Sequence, residues 1–157
     1  MDLKNIIRTI PNYPIEGVLF RDITTVLKDK DALKYSVDEI TKSLENIEFD
    51  YVLGPESRGF IFAMPIAYNM NKGFIPVRKA GKLPAETISK EYDLEYGSAT
   101  LEIHKDAIKK GDKVIIVDDL LATGGTCKAI IELVESIGAE VVSLNFFIEL
   151  EELKGRE

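Results

Sequence analysis

The chain has 157 residues, of which 45% are hydrophobic, a length that suits one ordinary globular core and is short for two. Its 20 basic and 27 acidic side chains give a net charge of −7, which argues against broad binding to nucleic acids or anionic membranes, because both require a positive surface. The single cysteine, Cys127, cannot form an internal disulfide, so we expect a reducing compartment, by default the cytoplasm. No segment reads as a signal peptide or approaches the ~20 apolar residues of a membrane span.

The N-terminal part of the sequence predicts two helices separated by an irregular segment. Four apolar side chains recur at helical spacing before Pro11 ends the first pattern: Leu3, Ile6, Ile7 and Ile10. Asp29 or Asp31 can cap the second helix, which ends before Tyr51. Its apolar stripe consists of Leu33, Val37, Ile40 and Leu44.

From Tyr51 onwards the pattern predicts alternating strands and helices. Four short runs rich in β-branched residues are typical of buried strands in a parallel sheet: residues 51–53, 74–77, 114–117 and 141–144. Helical patterns lie between the first two runs, at 59–70, and between the last two, at 126–137, where Gly138 follows in the usual C-terminal position. This alternation predicts βαβ units, and hence an α/β fold with a single domain over residues 1–157.

One polar segment, residues 78–98, interrupts this alternation. It carries Gly81, Pro84 and Gly97 and is too long for a simple connection in a compact domain. We therefore expect a functional loop that closes over bound substrates and excludes water.

Residues 114–126, VIIVDDLLATGGT, predict a buried strand that ends in two acids and turns into a helix. Ligands of open α/β sheets bind beyond the carboxyl ends of strands, where Asp118 and Asp119 are expected. Gly124 and Gly125 allow backbone N–H groups to surround an anion at the positive end of the helix. The segment therefore predicts a phosphate held by the turn and sugar hydroxyls held by the acids, as in a ribose 5-phosphate. The alternative is that the acids merely cap the helix and the glycines make a turn. It is not a nucleotide P-loop, because Thr126 stands where that motif has lysine.

This segment resembles the phosphoribosyl pyrophosphate motif of type I phosphoribosyltransferases. Three further segments are similar to adenine phosphoribosyltransferases in order and spacing: YPIEGVLFRDIT (13–24), GPESRGFIF (54–62) and VRKAGKLPAETISKEYDLEYGSATLEIHKDAI (77–108). The resemblance implies a central, mostly parallel sheet flanked by helices, with a flexible loop and a small base-binding hood formed by residues 1–25. It also implies a glycosyltransferase, specifically a pentosyltransferase of purine salvage, which converts adenine and 5-phosphoribosyl-1-pyrophosphate (PRPP) to AMP and pyrophosphate.

The resemblance assigns the binding residues in three groups. Asp118 and Asp119 would hold the ribose hydroxyls, and the 5-phosphate would bind to Ala122, Thr123, Gly124, Gly125 and Thr126. Four cations would bind pyrophosphate: Arg58, Arg78, Lys79 and Lys82. The base would be recognised by Leu19, Phe20 and Arg21. Read without the family, Arg58 could equally be a surface arginine paired with an acid, and Phe20 a core residue.

For catalysis, the resemblance makes Glu95 the general acid or base at the purine and Tyr96 a lid or substrate-positioning residue. Read alone, Glu95 could be an exposed loop residue. Mg²⁺ is the implied cofactor, held mainly by substrate and water, with no protein ligand cluster. The implied partners are adenine, PRPP and a second copy of the chain, with no nucleic acid or membrane. The alternatives are a phosphoribosyltransferase for hypoxanthine, guanine or xanthine, or a non-catalytic sensor of purine or PRPP.

Overall fold

The computed structural model describes residues 1–93, 97–121, 124–149 and 155–156, which belong to two compact units. The first unit, Met1–Ser43, opens with a 3₁₀ helix at Leu3–Asn5. Its strands and helices are β1 (Arg8–Pro11), β2 (Leu19–Asp22), α1 (Thr24–Lys28) and α2 (Lys30–Ser43). The second unit is Leu44–Glu157. Our expectation of a single domain over the whole chain stays a prediction.

The predicted first helix is wrong beyond residue 5, because β1 pairs with β2 in an antiparallel sheet instead. Ile10 lies opposite Phe20, and Arg8 lies opposite Asp22, with Arg8 Nε 2.9 Å from Asp22 Oδ2. Hydrogen bonds from Thr24 and Arg8 lower the pKa of Asp22 to about 2. An isolated helix of this length is marginal in water, so cross-strand pairing decides the local structure.

The predicted cap of the second helix is confirmed at Asp29. Its Oδ1 accepts hydrogen bonds from the backbone N–H groups of Asp31 and Ala32, both at 3.0 Å. These contacts satisfy two of the N–H groups that the first turn of a helix leaves without an internal partner. The helix starts at Lys30 for this reason.

In the second unit, the four predicted strands and the two predicted helices are present, and two further strands lie between the second and third predicted strands. In chain order the elements are β3 (Tyr51–Pro55), α3 (Arg58–Met70), β4 (Gly73–Lys79), β5 (Thr87–Asp93), β6 (Ser98–His104), β7 (Lys113–Leu121), α4 (Gly125–Ile137) and β8 (Glu140–Glu149). Six strands form one sheet in the order β5-β6-β4-β3-β7-β8. The pairs β4–β3, β3–β7 and β7–β8 are parallel, whereas β6 joins β4 and β5 antiparallel. The predicted α/β class with a mostly parallel sheet is confirmed.

Among the described residues of this unit, α4 packs on one face of the sheet and α3 on the other. Leu53, Val114 and Ile116 pack with the buried side of α4 in the hydrophobic core. Gly54 faces the opposite way along β3, and a Cβ built on it would lie 2.8 Å from Ala63 Cβ on α3. Within the described part of the chain, no helix has both the length and the apolar character needed to cross a membrane.

The predicted loop at residues 78–98 is wrong over much of its length. Residues 87–93 form β5, which pairs with β6 along its whole length, from Thr87 opposite His104 to Asp93 opposite Ser98. Ile88 and Tyr92 pack against the core, while Lys90 between them extends to Glu132 on α4, with Nζ 2.9 Å from Oε2. The charged Lys90 between two partly buried apolar side chains hides the alternating pattern that would have predicted a strand.

The close approach of β3 and α3 gives a test of the packing. We expect Gly54→Ala to lower the free energy of unfolding by about 1–3 kcal/mol, because the added methyl overlaps Ala63 Cβ. In chemical denaturation, Ala63→Gly should cost stability on its own, through helix propensity, but should cost less when Gly54→Ala is present. Strictly additive losses in the double variant would contradict this account of the contact.

Candidate active site

The carboxyl ends of β3, β4 and β7 border a cavity of about 310 Å³. This volume is within the ~300–1,000 Å³ of small-molecule sites. Charged and polar side chains from these strand ends, from β5 and from the first turns of α3 and α4 line it: Glu56, Arg58, Lys79, Tyr92, Asp118, Asp119 and Thr126. The structure thus brings five of the sequence-predicted site residues to one cavity, namely Arg58, Lys79, Asp118, Asp119 and Thr126.

The two consecutive acids of β7 are held mainly by hydrogen-bond donors. Asp119 is 5% exposed, and its Oδ2 lies 3.0 Å from Arg58 Nε. Asp118 Oδ1 accepts a hydrogen bond of 2.7 Å from the backbone N–H of Asp119. Burial, followed by the neighbouring Asp119, raises the pKa of Asp118 to about 8, and Arg58 opposes this shift. In the free protein near neutral pH, Asp118 therefore binds a proton more readily than an ordinary carboxylate.

Two glycines allow α3 to begin beside these acids. A Cβ on Gly59 would lie 3.0 Å from Asp118 Oδ1 and 2.9 Å from Pro55 Cδ. On Gly54 it would meet Ala63 Cβ at 2.8 Å and the Val117 carbonyl oxygen at 3.1 Å. The absence of side chains at both positions therefore brings Arg58, at the start of α3, within reach of Asp119.

Glu56 organises the end of β4, where two of the predicted pyrophosphate ligands lie. Its Oε1 accepts hydrogen bonds from the backbone N–H of Lys79, at 2.8 Å, and from Arg78 Nε, at 3.2 Å. The bond from Lys79 is the largest cause that lowers the pKa of Glu56. Arg78 and Lys82 are not among the described residues that line the cavity, and Lys82 is exposed in the turn after β4.

The glycine-rich turn lies at the start of α4, next to Asp118. Gly124 has φ 88° and occupies the N-cap position, which suits a residue without a side chain. A Cβ on Gly124 would also lie 2.8 Å from the Gly155 carbonyl oxygen. Asp118, Gly124, Gly125 and Thr126 line a second cavity of about 80 Å³. The predicted neighbourhood of acids and turn is therefore present.

The predicted base-binding residues lie on β2 of the N-terminal unit. Phe20 is half-buried, and its ring packs edge-on against Tyr13, with centroids 5.0 Å apart. Leu19 is 58% exposed, and Arg21 Nη1 donates a hydrogen bond of 2.6 Å to Thr9 Oγ1. Four other predicted site residues lie outside the described residues: Glu95, Tyr96, Ala122 and Thr123.

A family model for the phosphoribosyl transferase domain matches residues 24–155 of this chain. The adenine phosphoribosyltransferase of Clostridium novyi (strain NT) is 63% identical over 100% of this chain and 91% of its own length. The chain belongs to the adenine phosphoribosyltransferase family. The member from Lachnoclostridium phytofermentans is 60% identical over 99% of this chain and 89% of its own length.

Solved structures of adenine phosphoribosyltransferases agree with this membership. The protein from Thermoanaerobacter pseudethanolicus has a TM-score of 0.94 and 56% identity, and the match covers 98% of this chain and 89% of that one. The protein from Saccharomyces cerevisiae, in complex with an imino-altritol bisphosphate and adenine, has a TM-score of 0.92 and 43% identity, with 98% and 90% coverage. The implied type I phosphoribosyltransferase fold is thereby confirmed.

Glu56 and Tyr92 line this phosphoribosyltransferase cavity, and neither had a role in the sequence prediction. Glu56 stands inside the recognised segment 54–62, and its acidic side chain beside Arg58 was the available signal. Tyr92 could have been found from the spacing of Ile88, Lys90 and Tyr92, which places all three side chains on one face of a strand.

The raised pKa of Asp118 predicts a pH-dependent stability for the free phosphoribosyltransferase. The pKa is 3.8 for an ordinary aspartate and about 8 in the folded chain, so between these values the folded state holds a proton that the unfolded state has released. This contribution to stability is present at low pH and is lost as the pH rises towards 8. The neutral Asp118→Asn variant should therefore gain Tm relative to the parent protein as the pH rises.

Thermal unfolding over a pH series checks this, with the exposed Asp106→Asn as the matched control. Parallel Tm profiles for Asp118→Asn and the parent protein would contradict the assignment.

Proposed function

We propose that the chain transfers the 5-phosphoribosyl group of PRPP to N9 of adenine, which produces AMP and pyrophosphate. The observation that carries this function is a cavity in which the paired acids of β7, cations from α3 and β4, and the start of α4 meet. A ligand with a phosphate at one end, hydroxyls in the middle and pyrophosphate at the other matches this order of groups. The high identity to adenine phosphoribosyltransferases supports adenine as the base.

The 5-phosphate is proposed to bind to the turn formed by Ala122, Thr123, Gly124, Gly125 and Thr126. Backbone N–H groups, the Thr126 hydroxyl and the positive end of α4 supply donors and partial charge without a lysine. Asp118 and Asp119 would accept hydrogen bonds from the ribose hydroxyls. Asp119 Oδ2 already interacts with Arg58. The acceptor positions that remain on the Asp119 carboxylate are therefore the ones available to the sugar.

Pyrophosphate is proposed to bind to Arg58, Arg78, Lys79 and Lys82. Arg58 and Lys79 line the cavity, and Arg78 is held by Glu56 at its edge. A guanidinium has five N–H donors, so each arginine can contact a phosphate while its Nε remains bound to a carboxylate. The position of Lys82 in the turn after β4 would let its long side chain add a further cation.

Mg²⁺ is proposed as the cofactor. Among the described residues, no group of three or more carboxylate, histidine or cysteine side chains is arranged to hold a metal ion. This donor set fits an ion bound chiefly by pyrophosphate oxygens and water, with Asp118 and Asp119 as nearby negative charge. When bound, Mg²⁺ would neutralise the charge that develops on the leaving pyrophosphate.

Adenine is proposed to bind against Leu19, Phe20 and Arg21, with the base stacked on the Phe20 ring. The contact of this ring with Tyr13 fixes its orientation, which supports a stacking role. The Saccharomyces cerevisiae relative described above was solved with adenine. The Giardia lamblia relative, 38% identical, was solved with 9-deazaadenine, a close analogue of the base.

In the proposed reaction, pyrophosphate leaves ribose C1 while adenine N9 attacks from the opposite face. Carbon C1 gains oxocarbenium character, so the chain contributes mainly orientation and charge placement, and no covalent enzyme intermediate forms. Glu95 is proposed to act as the general acid or base that exchanges a proton with the imidazole edge of the base, and Tyr96 to position the substrates. Asp118 and Asp119 orient the ribose during the transfer.

We also propose that the protein works as a cytoplasmic homodimer. Three apolar side chains at helical spacing on α3 are exposed, which supports a contact surface there: Ile61 (38% exposed), Met64 (50%) and Tyr68 (85%).

The function is tested by incubating the protein with PRPP, Mg²⁺ and one purine at a time. We expect AMP and an equal amount of pyrophosphate from adenine, and much slower nucleotide formation from hypoxanthine, guanine or xanthine. Faster turnover of another purine would show that this purine, and not adenine, is the preferred substrate. Binding of PRPP without turnover of any base would favour the sensor alternative.

The role of Glu95 predicts that Glu95→Gln lowers kcat by roughly 100-fold or more, because the amide cannot exchange a proton with the base. The KM for PRPP should change little, since the glutamate acts on the other substrate. Glu91→Gln, which changes an exposed glutamate of β5, is the matched control and should leave kcat unchanged. A kcat for Glu95→Gln near that of the parent protein would remove the assignment.

A further inference from the structure

Tyr92 of β5 contacts a residue of the proposed phosphate-binding turn. Its hydroxyl oxygen lies 3.2 Å from Thr126 Oγ1, in a partly buried setting, and both residues line the 310 Å³ cavity. The Tyr92 ring packs against the hydrophobic core, so the hydroxyl is presented from a fixed ring and not from a free surface side chain.

A second contact joins β5 to α4 further from the cavity. Lys90 Nζ lies 2.9 Å from Glu132 Oε2, and the pKa of Glu132 is lowered chiefly by this hydrogen bond. Lys90 and Tyr92 lie on the same face of β5, two residues apart. The strand is therefore attached to α4 in two places, of which one is the first turn of the helix and the other is not.

Donor and acceptor chemistry fixes the direction of the Tyr92 bond once a phosphate is present. A phosphate dianion offers only acceptors, so the hydroxyl of Thr126 has to donate its one proton to bind it. Thr126 Oγ1 then has only acceptor capacity left for its other neighbour, and Tyr92 must be the donor. A hydroxyl that accepts a hydrogen bond is also polarised to donate more strongly, because chains of hydrogen bonds reinforce one another.

We propose that Tyr92 is a positioning residue for the 5-phosphate, which donates its hydroxyl proton to Thr126 Oγ1 and so directs the Thr126 proton towards the bound phosphate. This inference rests on the proposed function of the turn and adds a residue from β5 to it. The inference assigns Tyr92 to one end of PRPP only. Tyr92 acts on the 5-phosphate at α4, and not on the cations of α3 and β4 that are proposed to bind pyrophosphate.

The test is Tyr92→Phe, which removes the hydroxyl and keeps the ring. Calorimetric titration with ribose 5-phosphate should show an affinity roughly three- to tenfold weaker than in the parent protein, the size of one hydrogen bond. In steady-state assays the KM for PRPP should rise while kcat stays near the parent value. The affinity for magnesium pyrophosphate should not change. In a Thr126→Val background, Tyr92→Phe should have no further effect on ribose 5-phosphate binding.

Lys90→Ala is the matched control, because it breaks the other contact between the same two elements without touching Thr126. Its affinity for ribose 5-phosphate should equal that of the parent protein. The inference would be overturned if Lys90→Ala and Tyr92→Phe lost the same affinity for ribose 5-phosphate. It would also be overturned if Tyr92→Phe lost as much affinity for magnesium pyrophosphate as for ribose 5-phosphate, because the contact would then be merely structural. Unchanged ribose 5-phosphate affinity in Tyr92→Phe would overturn it as well.

A measurement on the parent protein covers the case in which Tyr92→Phe does not fold. With tyrosine labelled at Cζ, ribose 5-phosphate should shift the Tyr92 resonance more than magnesium pyrophosphate does, and an equal or absent shift overturns the inference. Failure of the proposed function would look different, because the parent protein itself would then bind neither ribose 5-phosphate nor PRPP.

Discussion

Two carboxylates on consecutive residues, at the end of a buried strand, determine how the rest of the cavity is built. Removing an ionised carboxylate from water costs several kcal/mol unless donors replace the lost hydration. Asp119 meets this requirement with the Arg58 guanidinium, and Asp118 meets it in part with a backbone N–H and in part by a raised pKa. In the proposed function, ribose hydroxyls would donate hydrogen bonds to both acids without adding charge.

Two cations, Arg58 in the cavity and Arg78 beside it, are also paired with acids of the protein. Arg58 binds Asp119, and Arg78 binds Glu56, so neither guanidinium depends on a ligand for a partner. In a chain with a net charge of −7, this pairing keeps local positive charge fixed at the ends of α3 and β4. Pyrophosphate would thus enter a site whose cations are already oriented, and it would share them with the acids without having to order them.

The parts of the fold that could be predicted from the sequence are those set by neighbouring residues. The run before Asp118 predicts β7, and the glycines after it predict the start of α4, so strand, acids and helix were predicted in the right order, although β7 continues past the acids to Leu121. Elements that depend on distant partners were not predicted. Residues 8–11 form a strand only because residues 19–22 pair with them, and residues 87–93 form a strand because residues 98–104 pair with them. The Tyr92 contact with Thr126 was missed for the same reason.

The anchoring of β5 also limits how the segment after β4 can close over a substrate. Moving β5 as a body would withdraw Ile88 and Tyr92 from the core and break the Lys90 ion pair. The connection between β4 and β5 is less restrained, because its residues 80–82 are exposed and bound mainly through backbone groups. Among the described residues of this segment, closure over a substrate would therefore cost least in this connection. Of the four proposed pyrophosphate ligands, Lys82 is the one that this movement would bring towards the cavity.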